Sequence, residues 1–173
     1  MSMLLMLDAS KPYKQNEFGN LFTDMYLNYK CDLFGNVFTW SAKDGYDSYD
    51  FVKKVMTDKR LEKYFVYNDI QEWSDDSFLY HTIIKDIGKD IKKGKPIYDD
   101  YILWFAWYLY NYWMISQDMS CQAVYKICPF QLRVDNFEYL HCIDWDACIV
   151  FARENYVHTM CLNHRRLKTR KQT

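Results

Sequence analysis

The sequence contains few of the residues and motifs on which common enzyme sites depend. Its five glycines are scattered, at positions 19, 35, 45, 88 and 94, so it has no glycine-rich phosphate-binding loop. It contains neither a Gly-x-Ser-x-Gly elbow nor a His-Glu-x-x-His pair. These absences exclude the familiar P-loop, serine-hydrolase and zinc-protease signatures. We therefore expect no cofactor, and a catalytic role is disfavoured.

The six cysteines lack the spacing of a metal site. They stand at positions 31, 121, 128, 142, 148 and 161, without a Cys-x-x-Cys pair. The first ten residues, MSMLLMLDAS, have a short apolar run but no basic residue before it and no small-residue cleavage site, unlike a signal peptide. We therefore expect a cytoplasmic protein with reduced thiols. No metal is expected at the nearest His and Cys group, which comprises His141, Cys142, Cys148 and His158.

No apolar run is long enough for a membrane helix. The longest, residues 101–115, has about 15 residues, whereas a spanning helix needs about 20. Within it, ILWFAWYLYNYW (102–113) holds three Trp, three Tyr and one Phe. Helical spacing places apolar residues on every side, which is typical of a helix surrounded by other elements. The sequence therefore predicts a central core helix at about 99–116, and no membrane association.

The rest of the chain carries signals of short helices. Helices are predicted at 17–30, at 47–57 with Ser48 as its cap, and at 58–65 as a short turn. A further helix should start after Ser74 and reach Lys93 before Gly94 stops it. Two others follow the caps Ser120 and Asp144, and a turn or two of helix is predicted at 135–141. We expect an all-α, compact single domain (1–161) of about six or seven helices, with at most a minor strand near 36–40.

Charge is spread unevenly along the chain. The net charge is −1, but the last twelve residues form a basic tail (162–173) without an acid. Its basic residues, which are the candidate nucleic-acid contacts, are Arg165, Arg166, Lys168, Arg170 and Lys171. The remaining body carries about −6, and this balance argues against a broad basic face elsewhere.

One short spacing near the C-terminal end of the chain combines an Arg and a His. Arg153 and His158 are five positions apart in a predicted helix, similar to the Arg-x4-His motif of the all-helical HEPN ribonucleases. The resemblance implies that the Arg stabilises a phosphate and the His moves a proton, with Asn155 as a polar helper. Residues at this spacing share a helical face poorly, so the motif would need a bent helix or a dimer.

A recurring pattern of aromatic and polar residues extends over residues 46–151. Its residues are Tyr49, Asp50, Phe51, Gln71, Trp73, Trp107, Tyr108, Tyr110, Tyr112, Trp113, Ser120, Val124, Tyr125, Lys126, Tyr139, His141, Asp144, Ala147 and Val150. This pattern resembles a set of uncharacterised small helical proteins of low-GC bacteria and their mobile elements, and it departs from that set at Asn111, where an Arg is expected. Members of the set occur beside toxin-like genes, including ADP-ribosyltransferase-like ones, so the resemblance implies an antitoxin or neutraliser.

Three functional hypotheses follow. The first is a non-enzymatic module that binds another protein, a bacterial toxin or defence enzyme, because Tyr and Trp are enriched at interaction hot spots. The alternatives are a metal-independent ribonuclease that uses Arg153 and His158, and a nucleic-acid-binding regulator that uses the tail. For the first hypothesis, the candidate partner-binding residues are Tyr108, Tyr112, Trp145, Tyr139 and His141. Of these, His141 is also expected to form a hydrogen bond with a backbone carbonyl oxygen at a helix end.

Overall fold

The structure is a computed structural model that describes residue 31 and residues 36–65 and 76–169. In these ranges the chain forms α-helices and two 3₁₀ helices, which confirms the predicted all-α fold. The predicted helix at 17–30 and the predicted cap Ser74 lie outside the described residues. The α-helices are α1 (Val37–Lys43), α2 (Ser48–Thr57), α3 (Asp76–Ile87), α4 (Asp100–Gln117), α5 (Cys121–Ile127), α6 (Phe130–Asp135), α7 (Phe137–Leu140) and α8 (Trp145–Thr169); the 3₁₀ helices are Lys59–Phe65 and Gly88–Asp90.

Helix α4 is the centre of the fold, as the sequence predicts. The Asp99 carboxylate caps it by accepting a hydrogen bond from the Tyr101 N–H at 2.8 Å, and Asp118 ends it in the left-handed conformation. It packs against α1, α5, α6 and α8, so neighbours cover most of its circumference. Its buried residues are Leu103, Phe105, Ala106, Trp107, Tyr108, Leu109, Tyr110, Asn111, Trp113 and Met114.

The predicted strand near 36–40 is wrong, because this segment forms helix α1. Val37 and Phe38 are fully buried, and the Phe38 ring meets Trp107 edge-on at a centroid distance of 4.7 Å. A lone strand pressed against α4 would leave its backbone N–H and C=O groups without partners. A helix satisfies these groups internally and still buries the same apolar side chains.

Helix α2 is capped by Asp47 and not by Ser48, which corrects the predicted cap. The Asp47 carboxylate accepts hydrogen bonds from the backbone N–H groups of Tyr49 at 2.9 Å and Asp50 at 3.0 Å. Ser48 is instead the first helical residue, and its buried hydroxyl accepts a hydrogen bond from the Tyr98 N–H at 3.2 Å. The short turn predicted at 58–65 is confirmed as the 3₁₀ helix Lys59–Phe65.

Helix α3 ends at Ile87, six residues before the predicted end at Lys93. After the 3₁₀ helix Gly88–Asp90, the chain runs extended beside residues 45–48. There the Gly94 N–H donates to the Gly45 oxygen at 2.9 Å, and the Ser48 N–H donates to the Pro96 oxygen at 2.8 Å. These long-range hydrogen bonds replace the helical ones that the local sequence favours.

The C-terminal third begins as predicted. The Ser120 hydroxyl caps α5 at 3.3 Å from the Ala123 nitrogen, and the Asp144 carboxylate accepts from the Ala147 N–H at 2.7 Å. The helix predicted at 135–141 is interrupted, because α6 ends at Asp135 and α7 starts at Phe137. Helix α8 extends to Thr169, so its last turns include much of the predicted basic tail. The side chains of the five basic tail residues lie outside the described part.

Candidate functional site

Six aromatic side chains form one connected surface that we call the aromatic band. Helical spacing along α4 aligns four of them, because positions three or four apart share a face. The other two come from α7 and from the start of α8. The members are Tyr101, Trp104, Tyr108, Tyr112, Phe137 and Trp145.

Ring contacts hold the aromatic band together. Tyr108 and Trp145 stack at a centroid distance of 4.5 Å, and Trp104 lies 5.2 Å from Tyr108. Tyr101 stacks on Trp104 at 6.2 Å and meets Phe137 edge-on at 5.6 Å. These geometries are the favourable offset, stacked and edge-to-face arrangements, so each ring fixes the orientation of the next.

The band is most exposed at Tyr101 and is covered at its middle. Tyr101 is 52% exposed, whereas Tyr108 is 6% exposed beneath Trp145 and the buried thiol of Cys31. Trp145 and Tyr112 are half-buried, and the Tyr112 hydroxyl donates to the Asp146 carboxylate at 3.2 Å. Tyr108 therefore supports the surface, while Tyr101, Tyr112 and Trp145 present ring area to solvent.

The other two predicted partner-binding residues lie at or beside this surface. The His141 ring stacks on Phe137 at 5.1 Å, which joins it to the band. Its Nδ1 lies 2.8 Å from the Phe137 oxygen, which confirms the predicted carbonyl bond and requires Nδ1 to be the donor. Tyr139 packs on Phe151 at a ring centroid distance of 5.4 Å, with 54% of its surface exposed.

The structure does not bring the predicted ribonuclease pair to a common face. Arg153 and His158 are both exposed on the continuous helix α8, about 140° apart around its axis. The Arg153 guanidinium lies over the Trp113 ring at 5.8 Å and donates to the Gln117 amide oxygen at 3.3 Å. Asn155 donates to the Phe151 carbonyl at 2.9 Å. Two of the three motif residues are thus engaged in contacts within the fold.

Neighbouring thiol and imidazole groups do not form a nucleophile–base pair. The Cys142 sulfur lies 3.4 Å from the His141 Nε2 and 3.9 Å from its Nδ1. A sulfur on the axis of the Nε2 lone pair would lie much farther from Nδ1, so these similar distances place it off that axis. Burial raises the pKa of the Cys128 and Cys148 thiols to about 11, so neither is a thiolate at neutral pH.

Sequence reasoning missed Arg133, a buried guanidinium in α6 that is 2% exposed. It lies over the rings of Tyr110 at 4.5 Å and Phe105 at 5.3 Å, and its Nη2 donates to the Phe105 oxygen at 3.1 Å. Its Nε and Nη1 have no hydrogen-bond partner among the described residues. Burial raises the pKa of Tyr110 well above its usual range, an effect that Arg133 partly offsets. No sequence pattern marks Arg133, because its burial follows from the contact of α6 with α4.

Arg60 organises a second polar cluster, on the surface. Its guanidinium donates to the Asp58 carboxylate at 2.7 Å, to the Asp90 carboxylate, and to the Asp86 carbonyl oxygen at 3.0 Å. The hydrogen bonds from Arg60 lower the pKa of Asp58 to about 2. The cluster joins the 3₁₀ helix Lys59–Phe65 to the end of α3.

We expect the stabilising effect of the Asp58–Arg60 pair to depend on pH. The pKa of Asp58 is lower in the folded state than the ordinary value of about 3.9, so its contribution is present above about pH 4. It should be lost as the pH falls towards 2. Urea unfolding of wild type and Asp58→Asn at a series of pH values measures this. The difference in their free energies of unfolding should shrink below pH 4, and a constant difference would contradict the assignment.

The sequence matches no protein-family model, no curated protein and no solved structure. Among residues 36–65 and 76–169, no helix combines the length and apolar character that a membrane span requires. The described residues also contain no group of three His, Cys, Asp or Glu side chains placed to hold a metal ion. The fold and its surfaces therefore define an all-α protein with an exposed aromatic band.

Proposed function

We propose that this protein is a non-enzymatic neutraliser, an antitoxin or inhibitor that binds a bacterial toxin or defence enzyme in the cytoplasm. The observation that supports the proposal is the aromatic band, in which Tyr101 is 52% exposed and Tyr112 and Trp145 are half-buried. Tyr and Trp dominate binding hot spots because each places a large, rigid, amphipathic area in contact with a partner.

The ring contacts within the band favour a role in binding over the incidental exposure of core side chains. Tyr101 and Trp104 are stacked with an interplanar angle of 9°, and Tyr108 and Trp145 with an angle of 23°. Side chains that are already ordered lose less conformational entropy when a partner covers them. The proposed partner therefore contacts Tyr101, Trp145 and Tyr112, with His141 and Tyr139 at one side.

Co-expression with a toxic protein encoded by an adjacent gene tests the proposal. Wild type should restore growth, and the purified pair should form a complex. Tyr101→Ala and Tyr139→Ala should each weaken binding at least tenfold, because hot-spot truncation costs more than about 1.4 kcal/mol. The matched control is Phe78→Ala, since Phe78 is 55% exposed on α3, outside the band.

Two outcomes would contradict the proposal. One is the absence of a complex between wild type and any protein encoded by a neighbouring gene. The other is a complex that Phe78→Ala weakens as much as Tyr101→Ala, which would place the contact elsewhere. RNA cleavage by wild type that His158→Ala abolishes would instead support the ribonuclease alternative.

A further inference from the structure

A lysine-rich segment follows helix α3. Residues 85–95 contain five lysines and only two aspartates, in a chain whose net charge is −1. All five lysines are exposed: Lys85, Lys89, Lys92, Lys93 and Lys95. The segment therefore concentrates positive charge at one place on the surface. The net charge of the whole chain does not reveal this concentration, because by itself it argues against a broad basic face.

The fold places this segment along the outer side of α2, which adds further lysines. The Asp47 N–H donates to the Lys92 oxygen at 2.9 Å, and the Lys92 N–H donates to the Asp50 carboxylate at 2.8 Å. At the other end of α2, Arg60 donates to the Asp86 carbonyl oxygen. These contacts hold the two segments side by side, and we call their exposed lysines the lysine face, comprising Lys53, Lys59, Lys85, Lys89, Lys92 and Lys95.

The four described acidic groups nearest the lysine face are fewer than its six lysines and are held by contacts within the fold. Asp58 and Asp90 bind Arg60, Asp86 accepts a hydrogen bond from the Tyr64 hydroxyl at 2.6 Å, and Asp50 accepts the Lys92 N–H. In contrast, the ammonium groups of the six lysines of the face have no hydrogen bond or ion pair to any described residue. Their charge is therefore available to an external anion.

We infer that the lysine face binds the phosphate backbone of a nucleic-acid duplex without reading its sequence. Lysine is a compact point charge on a flexible stem, suited to single phosphates. Residues 44–65 and 85–97 contain no Asn or Gln, which read base edges, and their one arginine, Arg60, is held by aspartates. Helix α2 is about 15 Å long, and a duplex presents about nine phosphate charges over that length.

An acidic protein fits this surface less well than a nucleic acid does. The buried centres of protein–protein interfaces are depleted in lysine and need apolar or aromatic anchors. The large hydrophobic side chain exposed near the lysine face is Ile97, at 47%, which follows Pro96 at the end of the segment. The lysine face shares no residue with the aromatic band or with the tail, so its function is testable separately from the proposed neutraliser activity.

Fluorescence anisotropy with a labelled 20-base-pair duplex of mixed sequence tests the inference. Binding of the full-length protein is measured between 50 and 200 mM KCl. Contacts to four or five phosphates give a slope of log K against log [salt] of about −4. Lys89→Gln/Lys92→Gln/Lys95→Gln should reduce the magnitude of that slope by about 3 and weaken binding at 100 mM salt at least tenfold.

The matched control reverses one charge elsewhere. Lys126→Glu alters an exposed lysine on α5, outside the lysine face and the tail, and should keep most of the slope, whereas Lys89→Glu should reduce it. Circular dichroism should show the triple variant and both single variants folded. Equal losses in Lys89→Glu and Lys126→Glu, or no duplex binding at 50 mM salt, would overturn the inference. Competition by polyglutamate as strong as by unlabelled duplex would also overturn it, in favour of an acidic protein.

Discussion

Replacement of Trp107 by alanine should lower the free energy of unfolding by about 3–5 kcal/mol. The indole is 1% exposed at the centre of α4, against the Phe38 ring. Removing it forfeits the burial of a large apolar area and leaves a cavity that α1 and α4 cannot close without moving. Since domains of this size are stable by about 5–15 kcal/mol, the loss is a large share of the total.

Urea unfolding followed by far-UV circular dichroism measures this loss. Tyr101→Ala is the control, because Tyr101 lies on the same helix and is 52% exposed. This substitution should lower the free energy of unfolding by about 1 kcal/mol or less. The helix propensity of alanine is the same at both positions, so the comparison isolates the effect of burial. Comparable losses in the two variants would show that α4 is not shielded by α1, and the architecture would need revision.

At Arg133, we expect the volume of the side chain to matter more than its charge. Arg133→Ala should destabilise the fold by about 2–4 kcal/mol, because it leaves a cavity between the rings of Tyr110 and Phe105. Arg133→Met fills much of that space and removes a buried charge that has no acidic partner among the described residues. It should therefore change stability by less than about 1 kcal/mol, or increase it.

The contrast between these two Arg133 variants identifies the role of the guanidinium. Thermal and urea unfolding of both variants, measured beside wild type, give the difference directly. If methionine destabilises the protein as much as alanine does, the cation itself stabilises the fold through its contact with Phe105 and Tyr110. A cation–π contribution of that size would exceed the usual range of about 0.5–2 kcal/mol.

The sequence was most informative where local and long-range preferences agree. Helix α4 was predictable because its apolar residues surround the axis and Asp99 supplies the cap at its start. Ser120 and Asp144 likewise marked the starts of α5 and α8, since a cap acts through hydrogen bonds to the next few residues. The core of the fold follows from these elements, because an apolar helix must be covered by its neighbours.

Sequence reasoning failed where tertiary contacts override local preference. Val37–Lys43 has strand-like residues but buries them against α4 as a helix, since none of the described residues forms a strand that could complete its backbone hydrogen bonds. Lys93 and Gly94 look like a helix end, yet this segment pairs with Gly45 and Tyr46. Both errors have one cause, which is that a distant part of the chain decides each structure: the side chains of Val37–Lys43 pack on α4, and the backbone of residues 93–94 pairs with residues 45–46.

Residue types and spacing by themselves determined an all-α fold with an aromatic core helix and placed Tyr108, Tyr112 and Trp145 as candidate binding residues. Only the tertiary structure decided which rings are exposed, because Tyr108 is covered by Trp145 from α8 and by Cys31. The tertiary structure also decided where charge accumulates. The lysine face combines two segments about 30 residues apart in the sequence. Net charge is a sum over the whole chain and does not show this, because the electrostatic potential of a surface depends on which side chains lie close together.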